Sequence, residues 1–223
     1  MIADNLKSVT QRIASACEKS GRPYEDVTLV CVTKMADARA IAEALDSGVK
    51  VIGENRVQDA ALKHKVIGLK AEWHLIGHLQ TNKAKEAVRI FSLIHSVDSM
   101  RIAEAIDKEA AKIGKIQDVL VQVNISGEES KFGITPAVVE EFIKKISLCQ
   151  NINIKGLMTI APEAADPETV RPYFRALREL RDKVNTLYHT PLTLLSMGMS
   201  NDFEIAIEEG ANLVRVGRAI FDS

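Results

Sequence analysis

Three stretches of this chain carry residues that could do chemistry together. Lys34 directly follows the apolar run VTLVCVT. An amine placed there can form a Schiff base with a carbonyl compound; equally, a lysine at a strand end can snorkel into solvent and do nothing more. Ser196-Met197-Gly198-Met199-Ser200 follows another apolar segment and leads into a helical run from Asn201 to Glu209, with Ser200 in the N-cap position. The start of a helix offers unpaired N–H groups and a positive dipole end, which take up phosphate without a basic side chain. Gly217 and Arg218, after the last apolar segment, have N–H groups that could complete such a cradle. An ordinary glycine turn before a capped helix is the plain alternative. Arg215 sits inside the apolar run LVRVG, so it must either pair in the core or point outward to a carboxylate.

The elements that position these residues follow a simple rhythm. Leu6, Val9, Ile13 and Ala16 repeat at helical spacing up to Gly21 and Pro23, which predicts a leading amphipathic helix of about five turns. Eight apolar, β-branched segments follow: 27–33, 49–52, 73–76, 92–96, 116–124, 152–158, 192–196 and 212–216. Between them lie helix-length runs, among them 38–47, 101–112, 136–149 and 170–188. Alternating strands and helices imply parallel strands with right-handed crossovers. Eight units favour a closed (β/α)8 TIM barrel over an open doubly wound sheet, and no G-x-G-x-x-G turn follows the first strand to support dinucleotide binding. The expectation is an α/β barrel with an extra N-terminal helix, in which residues 1–223 form one domain.

In such a barrel the site lies at the C-terminal strand ends. Those ends carry Lys34, Glu54 and Asn55, His74 and His78, His95 and Asp98, Asn124, Met158 and Thr159, Ser196, and Arg215 with Gly217. His74 either bonds within the core or lines the pocket, and Met199 either lines it or packs in its loop. His64, His95 and His189 read as surface or satisfied positions, and Arg175, Arg178, Glu179 and Arg181 as a solvated helix face. No His, Asp or Cys set has the spacing of metal ligands.

Composition narrows the classes. With 29 basic and 30 acidic residues the formal charge is -1, so no global field draws nucleic acid or anionic lipid, and a bound anion needs a local site. Cys17, Cys31 and Cys149 fit neither a disulfide framework nor a metal motif, which points to a reducing cytoplasm. No run approaches the ~18 apolar residues of a membrane span.

A lysine at strand one, an arginine in strand eight and an anion cradle beside it make the arrangement that a pyridoxal ring with a phosphate needs. The chain also resembles a known family along nearly its whole length. VTLVCVTK around Lys34, Gly53-Glu54-Asn55, Trp73 to Gly77 followed by LQTNK, Asn124-Ile125-Ser126, Lys131 to Ile134, Gly156-Leu157-Met158, LSMGMSNDFEIAI and VRVGRAIF are similar, in order, to the pyridoxal phosphate homeostasis proteins. These are barrel-only relatives of alanine racemase, the fold type III class of pyridoxal phosphate proteins. The resemblance implies that pyridoxal 5′-phosphate is held covalently on Lys34 as a Schiff base. It implies Arg215 at the pyridine nitrogen, Asn55 beside the ring, and Ser200, Gly217 and Arg218 at the phosphate; His74, Ser196 and Met199 complete the expected cofactor-binding set. Arg218 stands where the family usually has threonine, which removes a hydroxyl contact but keeps the backbone N–H.

The same residues bear on catalysis. Arginine stays protonated and has no acceptor, so at the ring nitrogen it would make the cofactor a poor electron sink. Racemases of this fold add a C-terminal β domain that supplies a tyrosine, whereas this sequence ends just after strand eight; Tyr24, Tyr173 and Tyr188 are at no predicted strand end. The expectation is a monomeric cofactor carrier rather than an enzyme, with apo forms of pyridoxal phosphate enzymes as recipients. Two alternatives stay open: a weak amino-acid racemase, and a cofactor-free Schiff-base aldolase that binds a sugar phosphate at the anion site.

Overall fold

The computed structural model describes residues 1–188 and 191–222, so His189 lies outside the described residues. Eight strands close a barrel in sequence order, each parallel to its neighbours: β1 (Thr28–Val32), β2 (Val51–Glu54), β3 (Glu72–Leu75), β4 (Leu93–Val97), β5 (Gln117–Gln122), β6 (Ile152–Met158), β7 (Leu194–Ser196) and β8 (Leu213–Val216). Each falls on one of the eight apolar segments, trimmed or shifted by a residue or two at its ends. The seam is the pairing of β1 with β8, where Val30 lies opposite Arg215 and Cys31 opposite Val216.

Helices wrap the outside: α1 (Ile2–Lys19), α2 (Ala38–Asp46), α3 (Val57–Ile67), α4 (Ala84–Ile90), α5 (Met100–Ala111), α6 (Val139–Ile146), α7 (Arg171–Tyr188), α8 (Phe203–Glu208) and α9 (Arg218–Phe221). The leading helix α1 buries Leu6, Val9, Ile13 and Ala16, the residues that set its period, and packs against α8 and α9. It thus braces the part of the barrel that follows β7 and β8.

Two apolar cores result from the period-2 alternation of the strands. Outward residues such as Cys31, Ile52, Trp73, Ile94, Leu157 and Leu195 join the helices in the large core. Inward residues, Val30, Val51, Ile76, Leu93, Leu120, Met158 and Leu213, form a smaller plug inside the barrel. The inner layer is not wholly apolar: His74, His95, Gln122, Ser196 and Arg215 share that face and are buried.

The segment after β7 departs from the sequence reading. Helix α8 begins at Phe203 rather than Asn201, and Ser200 does not cap it. Residues 199–202 form a turn instead, closed by the Met199 N–H donating to Asp202 Oδ1 at 2.6 Å. Gly198 makes the turn possible. At φ +91° it occupies the left-handed region, and a Cβ there would meet Ala206 Cβ at 2.6 Å and Phe203 Cα at 2.9 Å. Its carbonyl accepts the Arg215 N–H at 3.0 Å, tying the turn to β8.

Arg175 and Arg178 are also not simply solvated. Together with Arg171 they converge on Glu209, whose side chain is 5% exposed, at 2.9 to 3.2 Å. Among the described residues no helix is long and apolar enough to cross a membrane, and no group of His, Cys, Asp or Glu could hold a metal.

Candidate functional site

Lys34 lies in the turn after β1, two residues beyond its last hydrogen-bonded strand position, and is exposed at the barrel mouth. The turn is fixed from behind. Lys63 Nζ on α3 donates to the carbonyl of Thr33 at 2.6 Å and to Glu54 Oε1 at 2.7 Å. Thr33 Oγ1 donates to the same carboxylate oxygen at 2.5 Å. Glu54 therefore faces away from the mouth, correcting its placement among the polar strand ends there. Its role is to pin the residue before Lys34, and its other oxygen is buried with no protein partner among the described residues.

Seven expected site residues line one cavity of about 330 Å³: Lys34, Asn55, Met199, Ser200, Arg215, Gly217 and Arg218. Val32, Ile76 and Ile160 supply its apolar wall, and Glu163 its rim. Asn55 is held by a close backbone approach, because a Cβ on Gly77 would overlap the Asn55 carbonyl. Ser200 Oγ accepts the Ala219 N–H at 3.3 Å, which joins the β7 turn to the first turn of α9. Its hydroxyl, with Gly217 and Arg218 at the start of α9, lines the polar end of the cavity. The Arg218 side chain reaches toward Glu163 on the rim, at 3.7 Å, with both side chains mostly exposed.

His74 and Ser196 do not line this cavity. They lie below it, in the barrel interior. Arg215 joins the two levels: it is 4% exposed, donating from Nη1 to Ser196 Oγ at 2.6 Å and from Nη2 to the Thr159 carbonyl at 2.9 Å. Behind Ser196 Oγ lies His95 Nδ1 at 2.8 Å; His95 Nε2 is 3.1 Å from His74 Nδ1, and His74 Nε2 is 3.2 Å from Glu72 Oε1. Burial pushes the Arg215 guanidinium down to about 10, with the Asp202 carboxylate opposing the shift. The His95 imidazole is held well below its usual range, mainly by burial, with the neighbouring His74 and Arg215 adding to it. At the far end, the hydrogen bond with His74 is the main cause that brings the Glu72 carboxyl down to about 2.

His95 is a satisfied position, as the sequence suggests, buried with both ring nitrogens hydrogen-bonded; what the sequence does not show is that its partner Ser196 ties it to Arg215. A signal of its inward direction was present: it is the one ionisable residue in the apolar segment SLIHS, two positions from inward-facing Leu93. Thr159 gains a role through its carbonyl, which accepts from Arg215, and Asp202 through the turn that it closes on the Met199 N–H.

The cavity can therefore present an amine at its open side, a guanidinium on its wall and a hydroxyl with backbone N–H donors at its polar end. Residues 4–223 match the family "Alanine racemase, N-terminal domain". A pyridoxal phosphate homeostasis protein from Aquifex aeolicus is 46% identical over 219 residues, 98% of this chain and 96% of that one. The protein of the same name from Escherichia coli K12 is 39% identical over 230 residues, 99% and 95% of the two chains. The structure of PipY from Synechococcus elongatus PCC7942, with PLP bound, superposes with a TM-score of 0.87 at 36% identity, covering 99% of this chain and all of that one.

Proposed function

The chain belongs to the family of pyridoxal phosphate homeostasis proteins, built on the alanine racemase N-terminal domain, and from that premise we propose that it binds pyridoxal 5′-phosphate and carries it. The observation that supports this most is the convergence of Lys34, Arg215 and Ser200 on one cavity from three separated stretches of sequence. The volume, about 330 Å³, lies within the ~300–1,000 Å³ of small-ligand pockets. Its donor chemistry suits the group: an amine for the aldehyde, a buried cation for the ring, and a hydroxyl with N–H donors for the phosphate.

Lys34 Nζ is the point of covalent attachment, and Asn55 and Met199 flank the ring. Ser200 Oγ with the N–H groups of Gly217 and Arg218 holds the phosphate; the Arg218 side chain is engaged with Glu163 and adds little to the cradle. His74 and Ser196 act from beneath rather than by contact. When bound, the cofactor supplies a reactive aldehyde and an electron-accepting ring. Arg215 offers that ring only donors, so the ring nitrogen stays unprotonated and carbanion formation is disfavoured. A second acid-base group opposite Lys34 would have to be Glu163, the remaining carboxylate of the cavity, whose side chain is 81% exposed and directed at Arg218. The chain thus fits a non-catalytic carrier better than a racemase. On this reading residues 1–223 act as one cofactor-binding unit, a monomer in a reducing cytoplasm, with apo-enzymes as recipients.

Reconstitution with pyridoxal 5′-phosphate tests the attachment. The protein is expected to gain a visible absorption band, and borohydride reduction should fix the cofactor's mass on the Lys34 peptide. Lys34→Ala should lose both. A wild-type protein that cannot be reconstituted overturns the proposal. Transfer from the loaded protein to an apo-enzyme no faster than free release overturns its donor role, and robust amino-acid racemisation overturns its non-catalytic character.

A further inference from the structure

Arg215 is a buried cation without an ion pair among the described residues, and its two protein partners are an uncharged hydroxyl and a carbonyl. Asp202 acts on it only through space, and the carboxylate at the end of its hydrogen-bond contacts lies at the opposite end of the barrel. Glu72 opens β3 at the barrel floor, where Ser92 Oγ also donates to its Oε1 at 2.8 Å, and its side chain is 53% exposed. Between the two charges run the contacts through Ser196, His95 and His74 already described.

The directions of these bonds can be assigned by counting hydrogens. Arginine only donates, so Ser196 Oγ accepts from Arg215 and keeps its own hydrogen to give. An ionised Glu72 only accepts. Three links then join Ser196 to Glu72, and with both imidazoles neutral there are three hydrogens to fill them, one from the hydroxyl and one from each ring. A single arrangement works. Ser196 Oγ–H donates to His95 Nδ1, His95 Nε2–H donates to His74 Nδ1, and His74 Nε2–H donates to Glu72. If His95 carried its hydrogen on Nδ1, the serine hydrogen would lose this acceptor and His74 would need hydrogens on both nitrogens, making it a second buried cation whose counter-charge is the half-exposed Glu72.

We propose that His95 and His74 are positioning residues for Arg215, acting through Ser196 along a one-directional hydrogen-bond chain that crosses the barrel interior and ends on Glu72. Every donor points from the guanidinium toward the carboxylate, so each bond polarises the next and strengthens the hold on Arg215 Nη1. The hold fixes which edge of the guanidinium faces the cavity. His95 sets the sense of the chain, since one ring nitrogen must accept while the other donates.

The part played toward a bound ring rests on the cofactor reading above; the tautomers do not, and the two can fail separately. In cofactor-free protein labelled with 15N-histidine, His95 and His74 are expected to be neutral with the hydrogen on Nε2. A His95 with its hydrogen on Nδ1 overturns the chain whatever the protein binds. Glu72→Ala changes only the floor, far from the cavity wall. It should mix the tautomers of both rings, shift the absorption band of bound pyridoxal 5′-phosphate and weaken its binding about threefold. An unchanged band and affinity overturn the link to Arg215. His95→Phe keeps the ring bulk but gives Ser196 no acceptor, with binding expected to fall about tenfold, whereas His95→Asn restores an acceptor and should stay within about twofold of wild type. Equal losses in both variants reduce His95 to packing and overturn its positioning role. Should His95→Phe fail to fold, the tautomer spectra and Glu72→Ala decide the matter.

Discussion

Glu209 and Arg215 lie close together in the sequence and are both buried, yet the protein treats the two charges in opposite ways. Glu209 receives three guanidinium groups from successive turns of α7, Arg171, Arg175 and Arg178. Burial works to raise its carboxyl, but the hydrogen bonds from Arg175 and Arg171 outweigh that and hold it below the usual range. Among the described residues Arg215 receives no carboxylate at bonding distance; burial prevails, and its guanidinium is pushed down to about 10. The first charge is neutralised on the spot and ties helices together. The second is left partly unanswered, with an edge on a cavity, which is the condition in which a cation can still bind something else.

Removing each charge should separate the two roles. Glu209→Ala leaves three cations facing one another and is expected to cost about 2 kcal/mol in urea denaturation, less than the ~3–5 of a fully buried pair because the arginines reach solvent. Cofactor binding should be unchanged. Arg215→Met should do the reverse, weakening pyridoxal 5′-phosphate about tenfold or more while altering stability by less than about 1 kcal/mol, since a buried unpaired cation is itself costly. If Arg215→Met destabilises as much as Glu209→Ala, the contrast fails and Arg215 is a structural residue like the other.

The contrast extends to pH. His95, beside Arg215, has a depressed folded-state value, so the native state binds fewer protons than the unfolded chain below the ordinary histidine range. Its contribution to stability is complete above about pH 6.5 and is lost as the pH falls toward the folded value, with a slope approaching ~1.4 kcal/mol per pH unit. Urea midpoints between pH 7.5 and 5.5 should show this fall in wild type and a shallower one in His95→Asn. The smallest effect is expected from an exposed pair. Arg12 donates from Nε and Nη2 to Glu204 at 2.7 Å and lies over the Phe203 ring, but both side chains are more than a third exposed. Arg12→Ala should cost only ~0.5 kcal/mol, and less at high salt.

These residues also show what can be read from the sequence. The eight strands were legible because fully buried parallel strands are short apolar runs, and Lys34 and Arg215 because each interrupts or ends such a run. Ser200 was legible as a candidate for the cavity that it lines but not as a hydrogen-bond partner: the turn at 199–202 depends on Gly198 fitting against Phe203 and Ala206, a tertiary contact. Glu54 was misplaced because strand ends alternate in direction, and only the β2 register shows that it faces Lys63 on α3. The partners of His95 were hidden by distance, since Ser196 and His74 are 101 and 21 positions away. The arginines of α7 form an unremarkable charged helix face until Glu209 is brought under them.

The seam where β1 meets β8 has a consequence for how the site comes into being. Val30 is opposite Arg215 across that seam, so the strand that leads to Lys34 and the strand that bears Arg215 are the first and last to leave the ribosome. The amine exists early in synthesis, but Arg215 and the Ser200 turn arrive only as the circle closes. A nascent or truncated barrel would hold a bare lysine with no pocket around it, so on the proposed function tight retention of the cofactor, as distinct from mere condensation with an amine, requires the finished barrel.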